Sequence, residues 1–181
     1  MKKSEVLAAR KLAMEYYAKA GIVLTEREKE NIEVADLGLG DLYNVGLEIV
    51  TYINTERVCA KEMVLFPNQA CPEHKHVPTD GREGKEETFR CRYGKVYLYT
   101  DSQRGGKKED IHTTIPPTDV RFFDETILLP GEQFTIMPGT WHWFKAAEEG
   151  AVISEFSTRS TDETDVFTDK RITREPIVEE D

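Results

Sequence analysis

Residues 87–100 read Glu-Thr-Phe-Arg-Cys-Arg-Tyr-Gly-Lys-Val-Tyr-Leu-Tyr-Thr. The first half of this run alternates: Glu87, Phe89 and Cys91 fall on one side of an extended chain, Thr88, Arg90 and Arg92 on the other. Its β-branched and aromatic content marks a strand. Comparable runs, separated by Gly, Pro, Asn and Asp, occupy residues 46–53, 58–66, 125–129, 133–137, 141–146 and 151–157. Many strands and few helices predict an all-β fold, an antiparallel barrel or sandwich.

Upstream the pattern is helical. Residues 4–20 carry Val6, Leu7, Ala13, Met14 and Tyr17 at helical spacing, with Ser4 as the expected N-cap and Gly21 just beyond the end. Thr25 with Glu28 three residues later is a capping-box pattern that predicts a second, short helix. Residues 101–119, with two glycines and Pro116-Pro117, read as a surface excursion, and the chain from Thr161 onward is polar and charged. The whole is expected to form a single domain over residues 1–181: a helical segment to about 35, a barrel over about 38–160 and a polar tail from about 161.

The 181 residues are 39% apolar and 32% charged, with 24 basic against 34 acidic side chains and a net charge of -10. That charge would repel nucleic acid, and no run is long and apolar enough for a membrane span. Without a signal-peptide pattern a cytoplasmic location is expected. Cys59, Cys71 and Cys91 contain no CxxC pair and are read as small buried apolar residues, reduced rather than bridged.

Chemistry enters with the histidines. His74 and His76 leave the same face of an extended segment, close enough to share a cation. Glu87 lies on a more apolar face than Glu86 and is the favoured carboxylate partner. His142 follows the turn Pro138-Gly139-Thr140, between Trp141 and Trp143. Three imidazoles and one carboxylate suit Mn, Fe, Co, Ni or Zn, and the lack of thiolate ligands argues against a structural zinc site.

The order His-x-His, Glu87, Gly94, then Gly131, Pro138-Gly139 and His142 resembles the two motifs of the cupin superfamily, which implies a jelly-roll barrel with the N-terminal helices attached. The resemblance departs in two places. Ten residues separate His76 from Glu87, making Glu83 a competing ligand, and no Asn follows His142 at the usual distance. The six-residue step to Gly94 favours Glu87.

Over roughly residues 15–172 the chain resembles the bacterial D-lyxose isomerases of the cupin type. The stretches that carry this are Ala-Gly-Ile-Val-Leu-Thr (20–25), Cys-Pro-Glu-His-Lys-His (71–76), Gly-Lys-Glu-Glu-Thr-Phe-Arg-Cys-Arg-Tyr-Gly (84–94) and Pro-Gly-Thr-Trp-His-Trp-Phe (138–144). The resemblance implies an aldose-ketose isomerase for D-lyxose and D-xylulose, usually also D-mannose and D-fructose. It further implies manganese and a homodimer.

Such a reaction needs a base for the C2 proton and stabilisation of an enediolate. Glu155, in the apolar run Ala-Val-Ile-Ser-Glu-Phe, is the expected proton carrier. Lys61, sharing a face with Met63 and Leu65, is expected to bind a sugar oxygen. Asp165 and Arg171, in the tail that resembles the family's sugar-covering segment, are weaker candidates for catalysis and sugar binding. Trp143, with Trp141, Phe144 and Tyr93, is a candidate for the pocket wall. The competing readings are a phosphosugar isomerase, a cupin dioxygenase and a non-catalytic sugar-binding or regulatory cupin.

Overall fold

The computed structural model describes residues 1–175 and 177–181. Among these residues, helices α1 (Lys3–Lys19) and α2 (Glu26–Glu30) precede nine strands: β1 (Glu33–Ala35), β2 (Leu47–Asn54), β3 (Cys59–Leu65), β4 (Ala70–Lys75), β5 (Glu87–Thr100), β6 (Asp124–Leu128), β7 (Gln133–Ile136), β8 (His142–Ser157) and β9 (Val166–Phe167). All the strand pairings are antiparallel.

The scaffold is a long ribbon of β5 and β8, paired from Glu87↔Ser157 at one end to Thr100↔His142 at the other. On its far side β8 pairs with β4 near His142 and with β3 from Ala151 to Ser157, while β5 carries β6 and β7 along its own outer edge. The sheet curls around a core that includes Leu47, Ile49, Met63, Phe89, Leu98, Phe144 and Ile153.

Residues of opposite parity in the same strands face outward. Val50, Val64 and Val152 pack beneath α1, whose Val6, Ala9, Ala13, Tyr16 and Tyr17 cover them. The sheet is thus buried on both faces there, so burial runs unbroken over residues 47–50 of β2 and 61–65 of β3 rather than alternating. The Tyr17 hydroxyl donates to the carbonyls of Glu48 (3.1 Å) and Glu62 (2.9 Å), locking helix to sheet.

Several expectations need correction. The N-cap of α1 is Lys2, not Ser4; the Lys2 amide donates to the Glu5 carboxylate at 2.7 Å. At α2 the capping box does form, with the Glu28 amide donating to Thr25 Oγ1 and the Thr25 amide to Glu28 Oε2. The runs at 141–146 and 151–157 belong to one strand, β8, which bends at Gly150 (φ 77°) without ending there. Strands β1, β4 and β9 are too short or too polar to show the period-two pattern, and pairing with a neighbour defines them instead. The three cysteines are buried and free.

Candidate active site

His74 and His142 are directly paired across β4 and β8, so their side chains leave neighbouring strands on the same face. Their ring centroids are 4.2 Å apart. His76, just past β4, presents its ring to both, at 5.1 Å from His74 and 5.3 Å from His142. One ligand atom from each of the three lies within 4.8 Å of the others.

Glu87 opens β5 and is 1% exposed. Its Oε1 lies 3.1 Å from His76 Nε2 and 3.0 Å from His142 Nε2. Glu83, the competing acid, is exposed. The long insertion returns to the cluster because Gly84 passes directly over the His76 carbonyl, where a side chain would collide with backbone.

The other ring nitrogens are anchored. His74 Nδ1 donates to the Pro72 carbonyl at 2.8 Å and His142 Nδ1 to the Thr140 carbonyl at 3.0 Å. A carbonyl only accepts, so both imidazoles carry their proton on Nδ1 and turn an Nε2 lone pair inward, a tautomer assigned from these partners. His76 Nδ1 faces Asp165 Oδ1 at 2.5 Å, the carboxylate–imidazole arrangement that orients metal ligands.

Burial and the neighbouring His142 and His76 push the His74 pKa well below the usual imidazole value, which keeps it neutral. For His76, burial acts downward, but Glu87 and the hydrogen bonds to Asp165 and Glu87 outweigh it and raise the value to about 9. A cation at Nε2 would compete with that proton.

Whether this set fits a metal is decided at His142. Its Nε2 is fully buried and has no hydrogen-bond partner, although Glu87 Oε1 is near. A buried nitrogen without a partner is costly, and a shared cation would satisfy it. Three nitrogens and one carboxylate oxygen converge as a divalent transition metal requires. The residues fit such an ion.

Beside the histidines lies a band of buried charge. Lys61 and Glu155 are directly paired across β3 and β8, and both side chains line the cavity. Sequence reasoning did not single out Lys85, Asp162 or Arg174, which complete the band. Lys85 Nζ stands 2.8 Å from Glu87 Oε2 and 3.1 Å from Glu155 Oε1. Lys61 Nζ is 2.6 Å from Asp162 Oδ2 and 4.0 Å from Glu155 Oε1. Burial opposes the charge on both lysines, but Glu155 and the other acids prevail and hold both pKa values above the ordinary lysine value.

The alternation that turns Glu87 inward also turns Lys85 inward, two residues earlier, so that signal was readable. Asp162 and Arg174 carry no local pattern; they reach the cavity because the chain after β8 folds back over its mouth, with β9 pairing on β4.

The other expected residues fall elsewhere. Asp165 lines the cavity, but its carboxylate is occupied by His76. Arg171 points away, bonded to Asp169 and to the Pro117 carbonyl. Trp143 is buried against Tyr99, ring centroids 3.9 Å apart, with its indole N–H on the Phe122 carbonyl. Of the four aromatics considered, Phe144 alone lines the cavity. Arg90 and Arg92 turn outward to Gln133 and Ser154.

A sequence model of the D-lyxose isomerase family matches residues 25–181. The D-lyxose/D-mannose isomerase of Thermosediminibacter oceani is 55% identical over 183 residues, 99% of each chain. The D-lyxose ketol-isomerase of Cohnella laeviribosi is 51% identical over 184 residues, covering both chains entirely. Among solved structures, the L-ribose isomerase of Cellulomonas parahominis with L-ribose superposes with a TM-score of 0.72 over 98% of both chains at 14% identity. That likeness bears on the fold, which is the cupin-like barrel expected. Similarity along the full length to two enzymes of one activity leaves no room for a non-catalytic reading: the chain belongs to the D-lyxose isomerase family and is a sugar isomerase.

Proposed function

We propose that the protein interconverts D-lyxose with D-xylulose, and D-mannose with D-fructose, using a divalent cation, preferentially manganese, held by His74, His76, Glu87 and His142. The observation that carries this reading is the adjacency of a buried metal-type cluster and a buried Lys–Glu band within one cavity. The names of the relatives agree with these substrates.

A cation held by His74, His76, Glu87 and His142 would supply Lewis acidity toward the oxygens of the sugar. Glu155 is the group placed to take the proton from C2 and return it at C1. It sits 2% exposed, with Lys85 and Ser157 Oγ donating to Oε1, which aims its carboxylate. The Lys85 and Lys61 ammonium groups offset the charge of an enediolate in a site sheltered from water. Asp165 orients His76 rather than touching the sugar. The remaining wall, including Leu47, Ile49, Met63, Phe89 and Phe144, excludes solvent.

A free sugar is favoured over a phosphosugar because the cavity's cations are matched by carboxylates, Lys61 by Asp162, Lys85 by Glu87 and Glu155, Arg174 by Glu33 and Asp162, which leaves no surplus positive charge for a phosphate. Among the described residues no helix is long and apolar enough to cross a membrane. The homodimer implied by the resemblance and the cytoplasmic location expected from the N-terminal sequence stand as part of the proposal, the first open to light scattering.

The deciding assay supplies free aldoses, with added Mn, Co, Ni, Fe or Zn, and measures ketose. Turnover of D-lyxose with Mn, lost on chelation, is expected. Turnover of a phosphosugar alone would overturn the substrate, and oxygen uptake without ketose the reaction.

A further inference from the structure

Lys61 is the direct cross-strand partner of Glu155, yet the two charges do not meet. The ammonium stands 4.0 Å from Glu155 Oε1 and 2.6 Å from Asp162 Oδ2, with a further bond of 2.8 Å to Ser160 Oγ. Asp162 lies outside the barrel strands, in a single helical turn, Asp162–Thr164, of the chain that covers the cavity. Ser160 Oγ donates to its Oδ1, while Lys85 (3.5 Å) and Arg174 (3.4 Å) face its two oxygens. Arg174 is itself held by Glu33 at 2.6 Å. The Asp162 carboxylate is therefore fixed from several sides by elements independent of β3 and β8.

We propose that Asp162 is a positioning residue for the isomerisation, holding the Lys61 ammonium away from Glu155 so that Glu155 remains free to exchange its proton with the sugar carbons. This rests on the reading of Glu155 as the proton carrier. Without the Asp162 charge, the nearest anion left to Lys61 is Glu155, which Lys85 already contacts at 3.1 Å. Two ammonium groups on one carboxylate would occupy the lone pairs needed at carbon. Asp162 acts through Lys61 and need not touch the sugar.

The test is Asp162→Asn in the metal-loaded full-length enzyme, assayed on D-lyxose and on D-lyxose deuterated at C2. The expected result is a kcat lower by ~10-fold or more, KM within ~2-fold of the parent and a larger isotope effect on kcat. Asp162→Glu should recover most of the loss. Parental kcat, a loss carried by KM, or an unchanged isotope effect overturns the proposal. If Asp162→Asn does not fold, Ser160→Ala, which loosens the same carboxylate, should move kcat and the isotope effect in the same direction by less, and no movement overturns it. Glu155→Gln separates the two ideas: substantial turnover there removes the proton-carrier reading itself. An inactive Glu155→Gln beside a parental Asp162→Asn removes only the role of Asp162.

Discussion

Glu87 Oε1 stands 3.0 Å from His142 Nε2, although along the β5–β8 ribbon Glu87 pairs with Ser157 and His142 with Thr100, at opposite ends. The ribbon must therefore arch back across the barrel interior. Register shifts at Cys91/Tyr93 and Gly94/Val96 mark the bend, where Gly94 (φ 71°) and Gly150 (φ 77°) face each other so closely that a Cβ on Gly94 would overlap the Gly150 carbonyl oxygen. Bulges with a left-handed glycine bend strands in this way.

Gly94→Ala should consequently act on the site from a distance. Left-handed backbone alone costs a non-glycine residue ~1–3 kcal/mol, and here backbone must also move. Urea unfolding should show a loss of at least that size, accompanied by weaker metal binding as the Glu87 and His142 ends separate. A parental unfolding midpoint would contradict this account of the bend.

Removing the divalent ion should lower the melting temperature, since an ion that binds only the folded chain stabilises it by ~2.7 kcal/mol at a free concentration ~100 times its Kd. His142→Gln should erase most of this increment. His112→Gln should keep it, because His112 is exposed and bonded to Glu125 outside the cavity. Equal increments in both variants would exclude His142 from the site.

The first histidine pair and Glu87 were legible because a two-residue period reports directly which side chains share a face. Glu155 and Lys61 were legible for the same reason, as charges inside apolar strands. Trp143 was misplaced because strand spacing says which residues are inward or outward, not whether an aromatic faces a cavity or packs beneath a loop. Arg171 and Asp162 lie in the same polar tail, and no local pattern distinguishes them. Only the return of the chain over β4 brings Asp162 inside while Arg171 stays at the rim with Asp169.

Asp165→Asn distinguishes an orienting carboxylate from a catalytic one. The amide oxygen can still accept from His76 Nδ1, but the charge that strengthens the ligand is gone. Losing such a partner typically weakens metal binding ~10–100-fold. Competition against a chromogenic chelator should show this, with kcat largely retained once metal is saturating. A collapse of kcat at unchanged metal affinity would instead return Asp165 to proton transfer.

Glu48 provides a stability test outside the cavity. It is fully buried beneath the helical layer, with Oε2 unpartnered and Oε1 3.3 Å from the Gln69 amide. Burial pushes its pKa well above the usual carboxylate value, only partly opposed by Gln69. The folded chain thus keeps a proton that the unfolded chain releases near 4.5. Stability from this group is complete below that pH and declines as pH rises toward the folded value, by ~1.4 kcal/mol for each pH unit between them. Glu48→Gln carries no such proton. Its melting temperature relative to the parent should therefore climb as pH is raised from about 4.5 and level off once the folded group ionises. A difference that stays flat across that interval would mean Glu48 is charged in the folded protein, with a partner for Oε2 after all.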